Sequence, residues 1–536
     1  MERQVLLAFA LSLAVFIGWG AFISTMQPPP KVQDATQKSG SNSSPATASR
    51  TAPGQSSDSG ATSHSPVVPP VEEKLVSIST GIATLEFSSL GGILKNARLN
   101  KYLETDGTPV DLIRHGEGNK APLTIESNNE TVNEILRNSQ YEITPETLEL
   151  SEANPQGQIT IKLEHESGLS VTRIVKFTYG KYLVEIDTSI SNPQRAAENL
   201  QYFNLLGPGL GGAANSQTDY IVFSGATSFI NGERIESPPD EIPDITFTKG
   251  DISWTGFQNK YFAAALIPER GAKSAVVKKE GENVYVGLEF EAVQSAAHAT
   301  FALYAGTKEL QILEATGHNM IRVLDYGWFG NKFAFLVKPL LKVLQYFYGI
   351  LHNYGWAIIV LTLIIKLLFF PLTHKSFKSM KGMHKIQPYV KVIQERNKGD
   401  RSKMNEELLE LYKKHRVNPL GGCLPMLLQI PVFIGLYHAL FFSIELRGAP
   451  FILWIEDLSV ADPYYVTPIM MGATMFFQQK LSPQIGDPMQ QKILMFLPIL
   501  FTFLFLSFPA GLVIYWTVNN ILTISQQFYI YKIAKD

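Results

Sequence analysis

The sequence predicts a multi-domain, polytopic α-helical membrane protein that carries a large exported all-β domain. Three features of the 536 residues predict this architecture. Apolar runs recur at both ends of the chain and reach the ~20 residues that a membrane-spanning helix needs. Between residues 71 and 325, apolar and polar residues alternate in short runs that turn-forming residues separate. Lysine and arginine concentrate in particular loops between the apolar runs, which indicates that those loops are cytoplasmic.

The first two segments are predicted to be a membrane anchor (1–26) and a disordered linker (27–70). The apolar run Val5–Ser24 follows Arg3, is longer than the apolar core of a secretory signal and lacks an A-x-A-like cleavage site. A cleaved signal peptide is the alternative. The linker consists mainly of Pro, Ser, Thr, Ala and Gln, which cannot bury enough apolar surface to offset the entropy of folding.

Residues 71–325 are predicted to form a β-sandwich. Seven runs alternate with a period of two residues and predict strands: Leu75–Ile78, Ala83–Phe87, Ile159–Leu163, Val171–Phe177, Tyr182–Ile190, Asn283–Phe290 and Ala299–Tyr304. Acidic residues are scattered without a spacing typical of paired-carboxylate catalysis, so we predict no enzyme. A groove for a glycan or a peptide on the sandwich is an open alternative.

Residues 326–353 are predicted to be an amphipathic helix that lies along the membrane surface. Apolar residues recur at helical spacing, Lys332, Lys338 and Lys342 lie between them, and Pro339 is expected to bend the helix. The core helix of a soluble domain is the alternative, but an apolar segment of membrane-spanning length follows directly.

Residues 354–536 are predicted to be a five-helix membrane core with a cytoplasmic helical hairpin at 373–418. The first of these spans includes Trp356–Pro371, and Pro371 with His374 predicts its end. Basic residues dominate the hairpin, whose second arm we expect Ser402 to cap. Four more apolar segments follow: 420–442, 464–479, 493–508 and 511–530. With the anchor, the charge pattern predicts six spans and both termini in the cytoplasm.

Polar side chains are predicted at membrane depth in the cytoplasmic half of this core. Lys366 and Thr362 share one helical face. The other polar groups at this depth are Gln429, Thr474, Gln478, Thr502, Thr517, Asn519, Asn520, Thr523, Ser525 and Gln526. Unsatisfied polar groups in hydrocarbon cost several kcal/mol each, so they should face one another or water. We predict a wet recess that opens to the cytoplasm. The alternatives are that Lys366 snorkels to the interface and that the polar groups join helices.

Other function classes lack support in the sequence. The net charge of −2 provides no positive electrostatic potential that would attract DNA. Neither a phosphate-binding glycine loop nor a cluster of metal ligands occurs in the sequence, so we expect no cofactor. The apolar segments carry no carboxylate at depth, which argues against an ion-coupled transporter. A solute transporter or channel, or a membrane-anchored periplasmic glycan-binding protein, are the alternatives.

Four segments of the core resemble the signature of the YidC-type membrane protein insertases, bacterial relatives of the mitochondrial oxidase-assembly and chloroplast Albino insertases. They are VNPLGGCLPMLLQIPVFIGLY (417–437), DPYYVTPIMMGATMFFQQK (462–480), DPMQQKILMFLPILFTFLF (487–505) and GLVIYW (511–516). The anchor, linker and exported domain resemble the Gram-negative form, whose periplasmic domain is a β-supersandwich. The resemblance implies an inner-membrane insertase and chaperone for nascent membrane proteins.

The resemblance also implies a site and partners. The expected site is a hydrophilic groove open to the cytoplasm and to lipid, in which Lys366 occupies the position where the family usually has arginine. Groove and substrate-contact positions map onto Thr362, Gln429 and Tyr515, with Trp516 where a second tyrosine is common. The implied partners are nascent chains on ribosomes, membrane lipids and the Sec translocon, beside which or without which the family acts.

Overall fold

The computed structural model describes most of the chain from residue 73 onward. The described ranges are 73–104, 106–115, 120–195, 200–212, 222–291, 293, 296–326, 331–397, 399–415, 417, 424–481 and 488–530. The predicted anchor (1–26) and the predicted linker (27–70) lie outside these residues.

The described residues between 75 and 307 are dominated by β-strands. The strands are β1 Leu75–Ser79, β2 Ala83–Ser88, β3 Leu94–Leu103, β4 Pro109–Asp111, β5 Thr124–Ser127, β6 Glu142–Thr144, β7 Thr147–Glu149, β8 Gln156–Glu164, β9 Ser170–Thr178, β10 Leu183–Ser191, β11 Gln201–Leu206, β12 Gly225–Ile230, β13 Glu233–Ser237, β14 Ile245–Thr248, β15 Ile252–Gln258, β16 Phe262–Arg270, β17 Ala272–Glu280, β18 Asn283–Glu291 and β19 Ala296–Thr307. Each of the seven predicted strands is confirmed, with ends that differ by up to three residues.

The described strands form three sheets. The largest has nine strands in the order β13-β12-β15-β16-β19-β10-β9-β8-β6, and two five-stranded sheets have the orders β4-β3-β2-β1-β7 and β14-β17-β18-β11-β5. Neighbouring strands are antiparallel except β1 and β7, which pair in parallel. Strands such as β9 and β10 bury every second residue, which is the alternation that the sequence displays.

A buried arginine joins the three sheets. The Arg173 guanidinium, on β9, donates to the carbonyl oxygens of Gly92 (3.0 Å) and Leu123 (2.9 Å) and to Asn204 Oδ1 (2.9 Å). Gly92 lies between β2 and β3, Leu123 precedes β5, and Asn204 lies on β11. Burial lowers the pKa of Arg173 to about 10, which leaves it charged at neutral pH. One cation on the nine-stranded sheet therefore satisfies polar groups next to or within both five-stranded sheets.

The helices of the described residues fall into two groups. Two short ones belong to the β domain, α1 Glu130–Asn138 and α2 Leu310–Thr316, and the others follow it: α3 Ala334–Leu351, α4 Tyr354–Arg396, α5 Arg401–Lys414, α6 Leu424–Phe441, α7 Val466–Leu481, α8 Pro488–Leu504 and α9 Ala510–Phe528. The structure therefore combines a β-rich region with carboxyl-terminal helices, as the sequence predicts.

The predicted end of a helix at Pro371 and His374 is wrong. The first membrane segment and the first arm of the hairpin form one helix, α4, of 43 residues with Pro371 and Pro388 inside it. Proline lacks an N–H and normally interrupts a helix. Here the Thr373 hydroxyl donates to the Phe369 and Phe370 carbonyls at 3.0 Å, which supplies hydrogen bonds beside the proline.

The predicted cap of the hairpin's second arm is also wrong. Asp400, not Ser402, caps α5, and its carboxylate accepts a hydrogen bond from the Lys403 amide at 3.1 Å. A carboxylate at this position satisfies an otherwise unpaired amide and interacts favourably with the positive end of the helix dipole. The two arms also contact each other through Asn397, which donates to Glu407 at 3.0 Å.

Two helices of the described part are long and apolar enough to cross a membrane, Ala334–Leu351 and the segment Tyr354–Met383 of α4. Two shorter apolar helices are Gln429–Phe441 and Met495–Ser507. The helix predicted to lie along the membrane surface is thus present as α3, with Pro339 inside it, and it also has the length and composition of a span.

Candidate functional site

The polar face of α9 is the centre of the candidate site. Thr517, Asn520, Thr523 and Gln526 are buried and recur every three residues, so each lies next to the following one and the row winds gradually around the helix. Asn519 lies beside them and is half-buried. Because this face is enclosed by other helices, its side chains need hydrogen-bond partners across helix boundaries.

Lys366 on α4 reaches this face. Its ammonium donates to Thr523 Oγ1 at 2.7 Å, and the Thr523 hydroxyl in turn donates to the Asn519 carbonyl at 2.7 Å. From α6, Gln429 Nε2 donates to Asn519 Oδ1 at 3.2 Å. Polar contacts therefore connect Lys366 and Thr523 to the main chain of Asn519, and Gln429 to the side chain of Asn519. We call these four residues the polar network.

Two further contacts join α9 to its neighbours. Asn520 Nδ2 donates to Thr474 Oγ1 on α7 at 3.2 Å, and Gln526 Nε2 donates to Thr373 Oγ1 on α4 at 2.6 Å. Both pairs link neighbouring helices, as the alternative interpretation in the sequence analysis predicts for polar side chains at this depth. Sequence reasoning did not assign Thr373 to the site. Thr373 lies seven residues after Lys366, which places both side chains on one face of α4. This spacing could have identified Thr373 as a site residue from the sequence.

Two predicted site threonines, Thr362 and Thr502, hydrogen-bond to carbonyls of their own helices. The Thr362 hydroxyl donates to the Ile358 carbonyl at 2.6 Å, and the Thr502 hydroxyl donates to the Pro498 carbonyl at 2.7 Å, so both bond within their own helices. Thr502 also marks a close approach of α7 and α8, because a Cβ on Gly472 would lie 1.8 Å from Thr502 Oγ1.

The predicted aromatic residues form an apolar cluster in the first half of α9. Tyr515 is buried and its ring stacks on Phe433 of α6 at 6.4 Å. Trp516 contacts Phe433, Phe501 and Phe505, with ring centroids 4.8, 6.0 and 5.2 Å apart. The aromatic cluster precedes the polar network along α9, so the two occupy different levels of the helix.

The loop before α7 packs against the start of α9, on the other side of the aromatic cluster from the polar network. The Asp462 carboxylate accepts from Trp454 Nε1 at 2.9 Å and from the Thr467 amide at 2.7 Å. The Ala510 amide donates to the Val460 carbonyl at 2.7 Å, and the Gly511 amide donates to the Leu458 carbonyl at 2.9 Å. The amides at the start of α9 are thereby satisfied by the loop before α7.

Comparison with known proteins identifies the family. The family model described as 60Kd inner membrane protein matches residues 346–536, and the YidC periplasmic domain model matches residues 75–343. A protein named membrane protein insertase YidC from Syntrophus aciditrophicus is 36% identical over the whole length of both chains. Another of that name from Geobacter sp. (strain M21) is 41% identical over 86% of each chain. The chain belongs to the YidC family of membrane protein insertases.

The family also has a solved neighbour, described as an active YidC insertase crystal structure with its first transmembrane domain resolved. It is similar at 18% identity and a TM-score of 0.36, over 86% of this chain and 93% of that chain. Family membership establishes insertion of membrane proteins as the function, so nascent membrane proteins are the substrates. It also assigns the chain to the inner membrane and the β domain to the periplasm.

Proposed function

We propose that α4 and α6–α9 form a groove that is open to the cytoplasm and to lipid, and that the polar network is its substrate-binding part. Lys366 supplies the positive charge, and Gln429 and Asn519 supply amide donors and acceptors. Thr362, Thr474 and Thr502 line the groove, and Tyr515 and Trp516 contact the apolar part of the substrate. The observation that carries this proposal is the hydrogen bond of Lys366 to a hydroxyl at 2.7 Å, which a substrate carboxylate can replace with a stronger charged partner.

The proposed topology has six spans with both termini in the cytoplasm and a periplasmic β-supersandwich. Its support is the position of the β domain at the carboxyl-terminal end of α6, where Lys260 lies 4.3 Å from the Phe441 ring. That end of α6 is then periplasmic, and so is the loop that caps the start of α9. The polar network follows the aromatic cluster along α9, which orients the network toward the cytoplasm. The proposed domains are the anchor (1–26), linker (27–70), β domain (71–325), interfacial helix (326–353) and core (354–536) with its hairpin (373–418).

The proposed mechanism involves no covalent chemistry. The groove binds the short polar tail of a nascent segment and lowers the barrier for moving that tail part-way across the bilayer. The apolar segment then leaves sideways into lipid, and burying ~20 apolar residues supplies the driving force. Retention of the tail need only be transient, so a single charged contact is sufficient.

The proposed partners are ribosome–nascent chain complexes, membrane lipids and the Sec translocon. Basic residues of the hairpin support the first two, because exposed lysines such as Lys378 and Lys391 attract anionic lipid and RNA. The resemblance to the family is the basis for proposing that the protein acts both with the translocon and without it.

Site-specific crosslinking tests the groove directly. A photo-reactive residue at position 429, 362 or 515 is expected to crosslink to a stalled nascent chain that carries one apolar segment. Phe503 on α8 provides the matched control, since it is 76% exposed on the outer surface of the helices. Crosslinks from Phe503 that equal those from all three groove positions would contradict a defined groove.

A further inference from the structure

The outer end of α6 is held by the β domain. Lys260, in the connection between β15 and β16, is 4% exposed, and its ammonium lies 4.3 Å from the ring centroid of Phe441, the last residue of α6. The same ammonium lies 4.9 Å from the Tyr261 ring. A cation between two rings and away from water gains more from each ring than an exposed one does.

The segment after α6 is held by the same surface. The Arg447 guanidinium lies 5.1 Å from the Phe262 ring and donates to the Leu103 carbonyl at 3.3 Å. Ile444 is 1% exposed and belongs to the hydrophobic core of the β domain, although it lies in the membrane part of the sequence. Burial of this isoleucine side chain stabilises the association of the segment with the β domain.

The segment that contains α3 packs against the remaining side of the outer half of α6. The Tyr326 ring contacts Phe442 at 5.7 Å, and Ala439 packs with Val337 and Leu341 of α3. A Cβ on Gly435 would lie 2.9 Å from the Leu336 Cβ, so α3 and α6 approach closely at that position. The outer half of α6 is thus surrounded by the β domain and by α3.

The inner half of α6 carries the substrate-binding side chain Gln429. Phe441 is twelve residues further along the same helix, or roughly 18 Å at 1.5 Å per residue. Pro431 lies between them and weakens the hydrogen-bond ladder there. A helix that lacks a backbone hydrogen bond can bend at that position, so α6 keeps its direction only when other elements hold both of its ends. At the inner end, Gln429 donates a hydrogen bond to Asn519 of α9.

We propose that Lys260 and Arg447 are positioning residues: by clamping the outer end of α6, the β domain sets the distance between Gln429 and the polar face of α9. The β domain then acts on insertion through the membrane helix without contacting the substrate. Loss of the clamp lets α6 tilt about Pro431 and separates Gln429 from Asn519.

A disulfide reporter measures this distance in the full-length protein. Gln429→Cys and Asn519→Cys are combined with Cys423→Ser, and the rate of disulfide formation is followed in membranes with a copper-phenanthroline oxidant. Lys260→Met and Arg447→Met are expected to slow the crosslink roughly two- to thirtyfold, which corresponds to the ~0.5–2 kcal/mol that cation–π contacts span. Lys260→Arg keeps the cation and is expected to restore the rate.

Two further variants separate positioning from folding. Phe441→Leu removes the ring on the α6 side without changing the β domain, and it should slow the crosslink as much as Lys260→Met, with no added effect when both are present. Lys101→Met removes a cation that lies 5.6 Å from the ring of its own neighbour Tyr102 and should leave the rate unchanged. An unchanged rate in both Lys260→Met and Phe441→Leu would overturn the proposal. Since the reporter needs neither substrate nor water in the groove, this result is independent of the proposed groove.

Discussion

Replacing Lys366 with alanine is expected to lower insertion of a substrate that has an acidic tail by at least about tenfold, since a hydrogen bond to a charged group contributes about 1.5–3 kcal/mol. Glutamate at this position should lower it further, because a like charge would then face the substrate carboxylate. The measurement is the initial rate of insertion into proteoliposomes that contain the purified protein. A second substrate with a neutral tail should lose much less, since it makes no ion pair.

Two control variants define this effect. Lys366→Arg keeps the charge and adds a planar, bidentate donor group, so insertion of the acidic substrate should be retained or increased. Lys378→Ala removes an exposed cation from the same helix, three turns further along, and should have little effect. Equal insertion of acidic and neutral substrates by all three Lys366 variants would remove the proposed role of this residue.

Arg173→Met is expected to unfold the β domain at a much lower temperature than the parent protein. The change leaves the Gly92 and Leu123 carbonyls and Asn204 Oδ1 without the donors that now satisfy them. Each unpaired buried acceptor costs about 1–3 kcal/mol, and the total is a large share of the ~5–15 kcal/mol that stabilises a typical domain. The thermal midpoint of the loss of β-sheet circular dichroism should therefore fall by about 10 °C or more.

The matched control is Arg270→Met, because Arg270 is exposed at the end of β16. This variant should unfold at the temperature of the parent protein. A thermal midpoint of Arg173→Met within a degree of the parent would mean that the three sheets do not depend on the buried guanidinium.

Local patterns were sufficient to predict seven of the strands. Strands such as β8, β9 and β10 face a core on one side only, so their alternation is visible in the sequence. Strand β16 is not among the seven named runs, because it buries six successive residues and does not alternate. The helix end at Pro371 was wrong because a proline removes only one backbone N–H donor, and α4 is also held past this point by the contact of Gln526 on α9 with Thr373, which is not a local property of the sequence.

Long-range contacts of the site were beyond sequence reasoning. Residue spacing predicted that Lys366 and Thr362 share a face, but the ammonium bonds to Thr523, which is 157 residues away, whereas Thr362 bonds within its helix. The insertion of Ile444 into the β-domain core likewise depends on how two distant segments pack. Periodicity defines which face of a helix is polar, whereas partners across helices depend on tertiary packing.

Water access to the polar network tests the central claim most directly. Cysteine at position 429 or 523, in a chain with Cys423→Ser, can be treated with a membrane-impermeant thiol reagent from either side of the inner membrane. A groove that opens to the cytoplasm predicts rapid labelling in inverted vesicles and little labelling in spheroplasts. Labelling from the periplasmic side, or none from either side, would contradict it.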